Sequence, residues 1–95
     1  MYYKISSEFD TRKGPMIFVA NNEDELMNNI NEFAKGVRSK YQYKCRYIGI
    51  DEECVLNDHD MIFLRYENID TGLRHSLSAK LVEITREEYI DLLLG

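Results

Sequence analysis

The stretch from Asn21 to Arg38 constrains the chain most. Leu26, Ile30, Phe33, Ala34 and Val37 recur at the spacing of one helical face. Asn21 or Asn22 can cap the start of such a helix. Glu23, Asp24 and Glu25 then fill its first turn and oppose the positive end of the helix dipole, while Lys35 and Arg38 fall in the last turn. The spacing predicts a helix over 23–38. An amphipathic helix must bury its stripe against another layer, and the flanking sequence offers strands as that layer.

Before the helix, Tyr2 to Ser7 reads as a strand with Tyr3 and Ile5 on one face. A charged turn, Asp10 to Pro15, leads to the uniformly apolar run Met16 to Ala20, expected as a strand buried on both faces and paired with the first. After the helix, Tyr41 to Ile50 alternates, with Tyr41, Tyr43, Cys45 and Tyr47 on one face and Gln42, Lys44 and Arg46 on the other. Asp51 to Asp58 forms an acidic loop. Asp60 to Glu67 is a further strand, Asn68 to Gly72 has the composition of a hairpin turn, and Leu73 to Ile84 returns as the last strand.

That last strand shifts phase. Its inward set begins Leu77, Ala79, Leu81 and continues Val82, Ile84, which predicts a β-bulge or bend near Leu81. Thr85 with Glu88 forms a capping box for a short terminal helix whose apolar face is Tyr89, Ile90, Leu93 and Leu94. The expected fold is a single α+β domain over 1–95. It has an antiparallel β-sheet of about five strands in ββαβββα order, with the long helix packed on one face. The terminal helix is expected on that same face, closing an edge, or docked on a second copy.

Length and charge narrow the function classes. A chain of 95 residues supports one core, with little room for a deep cleft. A net charge of −5 disfavours nonspecific grip on nucleic acid by the whole molecule. Cys45 and Cys54 are too few for a disulfide framework and read as thiols of a reducing compartment. The N-terminal residues lack the apolar core of a secretory signal, and no apolar run approaches membrane-spanning length, so the expected location is cytoplasmic.

Catalytic signatures are missing: no glycine-rich phosphate loop, no His-Glu-x-x-His, no Gly-x-Ser-x-Gly and no Cys-x-x-Cys. Asp70-Thr71-Gly72 matches three residues of an aspartic-protease motif but is also ordinary turn chemistry. Asp58-His59-Asp60, near Glu53 and Cys54, is the most metal-like cluster. A structural zinc site wants about four paired ligands, and a solvated acidic turn explains the cluster more simply. His75, between Arg74 and Ser76, reads as a strand residue. The chain is therefore expected to be non-enzymatic, with no cofactor and no metal.

Charge segregation is the stronger signal. Lys35, Arg38, Lys40, Lys44 and Arg46 run without an acid. They are followed at once by Asp51, Glu52, Glu53, Asp58 and Asp60 without a base. The acidic set is the expected contact for a protein partner with a basic surface. Lys40, Lys44 and Arg46, interleaved with Tyr41, Tyr43 and Tyr47, form the alternative: a single-stranded nucleic-acid surface. A third reading is a dimeric small-molecule binder with its pocket at the interface. A homodimer would also cover the terminal leucines. The opening hairpin with Ala20-Asn21-Asn22-Glu23-Asp24-Glu25-Leu26 resembles small proteins of bacterial mobile elements and phages over about a third of the chain. That resemblance implies an accessory or inhibitory role. The expected function is a small non-enzymatic binding module that modulates a larger macromolecular partner.

Overall fold

A computed structural model describes residues 1–8, 14–37, 44–50 and 61–95. Its elements are β1 (Tyr2–Ser6), β2 (Met16–Val19), α1 (Glu23–Gly36), β3 (Cys45–Ile50), β4 (Met61–Asn68), β5 (Arg74–Ile84) and α2 (Arg86–Leu94). The strands form one antiparallel sheet in the order β2-β1-β5-β4-β3. The α+β class and the ββαβββα order are those the sequence predicts. β2 and β3 are the two outer strands, so α1, which joins them in sequence, crosses the sheet and touches both. Among the described residues no helix is long and apolar enough to cross a membrane.

The helix forms where its residues demand. Asn22 caps it, accepting the Glu25 backbone N–H on Oδ1 at 2.9 Å, and the Glu25 carboxylate in turn accepts the Asn21 N–H at 2.7 Å. The helix ends at Gly36, two residues earlier than predicted. Ile30, Phe33, Ala34 and, just past the end, Val37 are buried against Ile5, Phe18, Leu64, Tyr66, Leu77 and Ala79 of the sheet. Tyr66 spans the two layers: its hydroxyl donates to the Ala34 carbonyl at 2.8 Å. A buried phenol would otherwise carry an unsatisfied polar group into the core.

Four expectations need correction. The apolar run at Met16–Ala20 is an outer strand, not one buried on both faces: Phe18 and Ala20 are buried, while Val19 is 42% exposed. The bulge is not near Leu81. Register along β5 is unbroken, and the shift lies in β3 between Tyr47 and Gly49, where exposed Ile48 is the extra residue and Gly49 takes a φ of 133°. A φ in that region favours glycine.

The third correction explains the phase shift. α2 packs on the face opposite α1, over β1 and the outer strand β2, so it lies at an edge as expected but not beside α1. Tyr2 and Lys4 alternate with Tyr3 and Ile5, and they meet α2: the Tyr2 and Tyr89 rings lie 4.9 Å apart, and Lys4 Nζ reaches Glu88 Oε1 at 3.0 Å. Val82 pairs with Lys4 and Ile84 with Tyr2, so both point to the α2 side. The strand stays regular, and its buried face changes because the covering helix changes. The predicted capping box holds in part, with Thr85 Oγ1 accepting the Glu88 N–H at 3.1 Å. The predicted apolar face does not. α2 docks through Glu88 and Tyr89, leaving Ile90, Leu93 and Leu94 exposed.

Candidate functional site

The alternation of β3, β4 and β5 assigns every side chain to one of two faces. Tyr47, Ile50, Ile62, Leu64, Tyr66, Leu77 and Ala79 look toward α1. The opposite face holds Arg46 on β3, then Met61, Phe63, Arg65 and Glu67 on β4, then Arg74, Ser76, Ser78 and Lys80 on β5. α2 covers only the far end of the sheet, where it touches β1 and β2. Among the described residues no helix lies on the β3–β4–β5 part of this face.

Its charge is one-sided. Among the described residues, Arg46, Arg65, Arg74 and Lys80 stand against the carboxylate of Glu67 and, in the cavity beside Lys80, that of Glu8. Glu67 is clamped by two of them: Arg74 Nε donates to one oxygen at 3.2 Å and Arg46 Nη2 to the other at 3.1 Å. Cross-strand register places them there, since Glu67 lies opposite Arg46 on one side and Arg74 on the other. The hydrogen bond from Arg74, then that from Arg46, holds the Glu67 carboxyl below its ordinary value. Both arginine side chains remain more than 60% exposed, so each has donors left for an incoming anion. Where β1, β5 and β4 meet, a cavity of about 280 Å³ opens beside Lys80, lined also by Ser6, Ser7, Glu8, Met61 and Ser78.

The residues singled out from the sequence fall unevenly. Asp51, Glu52, Glu53, Asp58 and Asp60 lie outside the described residues, as do Lys40, Tyr41, Tyr43, Cys54 and His59. Lys44 precedes β3 with a φ of 62° and pairs with Asp70 at 2.9 Å; its carbonyl accepts the Ile69 N–H. Of the two described members of the basic trio, Lys44 and Arg46, Arg46 belongs to the open face. Tyr47 points away from it: its hydroxyl donates to Asn31 Oδ1 on α1 at 2.8 Å, and burial pushes its pKa up to about 12. Asp70-Thr71-Gly72 is the β4–β5 hairpin turn, tied by Asn68 Oδ1 to the Asp70 and Thr71 N–H groups, with Gly72 at a φ of 73°. His75 stacks on Tyr66 on the α1 side, with ring centroids 5.8 Å apart. Among the described residues no three His, Cys, Asp or Glu side chains are grouped to hold a metal ion.

Arg65, Arg74 and Lys80 were not singled out from the sequence. Their signal lay in alternation: the odd positions of 61–67 and the even positions of 74–80 form one face once the hairpin at 68–73 is used to pair them. Comparison of the chain with family models, with curated proteins and with solved structures found no match.

Proposed function

We propose that this chain is a non-enzymatic binding module that modulates a larger macromolecular partner, and that the open face of β3–β4–β5 is where the partner sits. One observation carries the reading. The described residues leave this face without a helix, and they line it with Arg46, Arg65, Arg74 and Lys80 around Phe63 and Met61. A patch of apolar and small polar residues ringed by cations suits a protein surface bearing carboxylates. The partner chemistry is thus the reverse of that expected from Asp51–Asp60, whose contribution lies outside the described residues. A single-stranded nucleic acid fits less well, because stacking platforms use successive aromatic rings: Tyr47 and Tyr66 are turned toward α1, and among the described residues of β3–β4–β5 Phe63 is the one ring on this face.

The test is affinity capture from the source cells with three proteins: wild type, Arg65→Glu with Lys80→Glu, and Glu87→Lys with Asp91→Lys on α2. The wild type and the α2 variant are expected to retain a common partner, and the Arg65/Lys80 variant to lose it. Retention by all three would remove the open face from the account. A captured species released by nuclease would replace the protein partner with nucleic acid.

A further inference from the structure

β2 is an outer strand, and among the described residues nothing pairs with its far side. The β1 ladder shows which groups that side presents. Met1 and Ala20 exchange main-chain hydrogen bonds at 3.2 and 3.0 Å. Bonded and non-bonded pairs alternate along an antiparallel ladder, so Phe18 and Met16 also bond toward β1. Ile17 and Val19 turn their N–H and C=O groups outward.

The chain outside the described residues is too short to run beside Val19. Residues 9–13 join Glu8 to Gly14 and can follow β2 for about three residues, roughly 10 Å, before turning back. Val19 lies five residues beyond Gly14. Residues 38–43 and 51–60 attach to β3, the opposite edge of the sheet. The longer of the two spans about 40 Å at full extension, whereas the path from Ile50 around Val19 to Met61 takes roughly 50 Å.

Outer strands are ordinarily guarded by charges, prolines or bulges. From Met16 to Asn22 there is no charge and no proline, and the register of β2 against β1 is unbroken. Ile17 lies opposite Lys4 and Val19 opposite Tyr2, so both side chains stand on the α2 side of the sheet. α2 leaves β5, meets β1 through Glu88 and Tyr89 and goes on to touch β2. It carries exposed Ile90, Leu93 and Leu94, and exposed Met1 and Val19 lie at the same end of the sheet.

We infer that β2 is the contact of a symmetric homodimer, two copies joined edge to edge, antiparallel, about a twofold axis at Phe18. In that register Ile17 lies opposite the partner's Val19, and Val19 opposite the partner's Ile17. Each pair exchanges its outward N–H and C=O groups. Neighbouring registers fail. An axis at Ile17 sets Pro15, which has no N–H, against the partner's Val19. An axis at Val19 sets Ile17 against the partner's Asn21, whose N–H is already taken by the Glu25 carboxylate at 2.7 Å. A second copy suits the edge because two acidic chains meet there at a stretch where neither carries charge. The axis is perpendicular to the sheet, so both α2 helices fall on one face and their leucines cover the junction. Burying the exposed parts of Met1, Val19, Ile90, Leu93 and Leu94 in both copies removes roughly 1,000 Å² from water, the lower end of specific interfaces. The dimer is therefore weak and reversible. It leaves both β3–β4–β5 faces open on the same side of the joined sheet, and it stands whether or not a partner binds them.

Sedimentation of the whole protein across concentration is the first readout. The mass is expected to rise from 11.3 kDa toward twice that value. Half-association is expected between roughly 10 μM and 1 mM. Added salt should tighten the dimer by screening the charge of −5 on each copy. Val19→Lys should weaken association at least about tenfold while the amides of Leu64 and Tyr66 stay protected. Arg65→Glu with Lys80→Glu, on the open face, should leave it unchanged. A mixture of isotope-labelled and unlabelled copies serves even if Val19→Lys fails to fold: Phe18 Hα should contact the partner's Phe18 Hα, the closely spaced pair on the axis. A mass fixed at 11.3 kDa up to about 1 mM would overturn the inference. So would a species larger than a dimer, undiminished association in folded Val19→Lys, or intermolecular contacts that omit Phe18. Association weakened by salt would assign it to charged surfaces instead. Protection of the Ile17 and Val19 amides only by a captured protein, and not by concentration, would give the edge to another chain.

Discussion

The two halves of β5 are built from one strand and live in different surroundings. From Leu81 to Ile84 side chains on both faces find cover: Leu81 packs on the core beneath α1, and half-buried Val82 and buried Ile84 lie on the side of α2. From Arg74 to Ala79 only one face is covered. Leu77 and Ala79 are buried, whereas Arg74 and Ser76 on the other face are exposed. The backbone is equally regular in both halves. What differs is where a nine-residue helix lands. A strand's side-chain pattern thus records the cover over each face, and an uncovered half is the part of the sheet left for other molecules.

The covered face should be the most sensitive to mutation. Leu64→Ala empties a fully buried position beneath α1 and is expected to cost about 2–5 kcal/mol in chemical denaturation. Tyr66→Phe keeps the ring but leaves the Ala34 carbonyl with only the long 3.4 Å hydrogen bond from the Val37 N–H. About 1–2 kcal/mol is expected, and a smaller loss would mean that water reaches that carbonyl. Thr85→Ala removes the cap of α2, the helix that distinguishes the two halves. Roughly 1 kcal/mol is expected, with faster amide exchange in α2 but not in β4.

Smaller effects belong to the open half. The Glu67 carboxyl is held below its ordinary value, so its clamp contributes fully above about pH 4.5, the unfolded value, and fades as pH falls through the folded one. Glu67→Gln should remove that acid-side loss, giving a flatter stability profile below pH 4.5 than wild type. Arg65→Gln, next to Leu64 but on the other face, should change stability by less than about 0.5 kcal/mol. A larger loss would show that the open face is part of the core.

Much of the fold was legible because local signals agreed. The helical stripe Leu26–Val37, the Asn22 and Thr85 caps and the turn at Asn68–Gly72 each depend on near neighbours in sequence, and each formed as read. The phase shift at Leu81 was seen and misattributed, because a bulge and a second covering helix leave the same trace in one strand. Only the register of β1 against β5 separates them. The outer position of β2 was hidden for a related reason: Met16–Val19 is apolar on both faces, and Val19 is exposed only because the sheet ends there. The candidate site was least legible. Runs of like charge along the chain drew attention to 35–46 and 51–60, while the cations of the open face are separated by a hairpin and meet only through pairing.

Thiol labelling tests the contrast between the halves most directly. Ser76 and Val82 point to the same face of β5, six positions apart, so Ser76→Cys and Val82→Cys in a background lacking Cys45 and Cys54 report the two surroundings with one chemistry. The open-half account predicts that Ser76→Cys reacts nearly as fast as an unfolded control and that Val82→Cys reacts roughly tenfold slower. Equal rates, or a slower thiol at position 76, would contradict it.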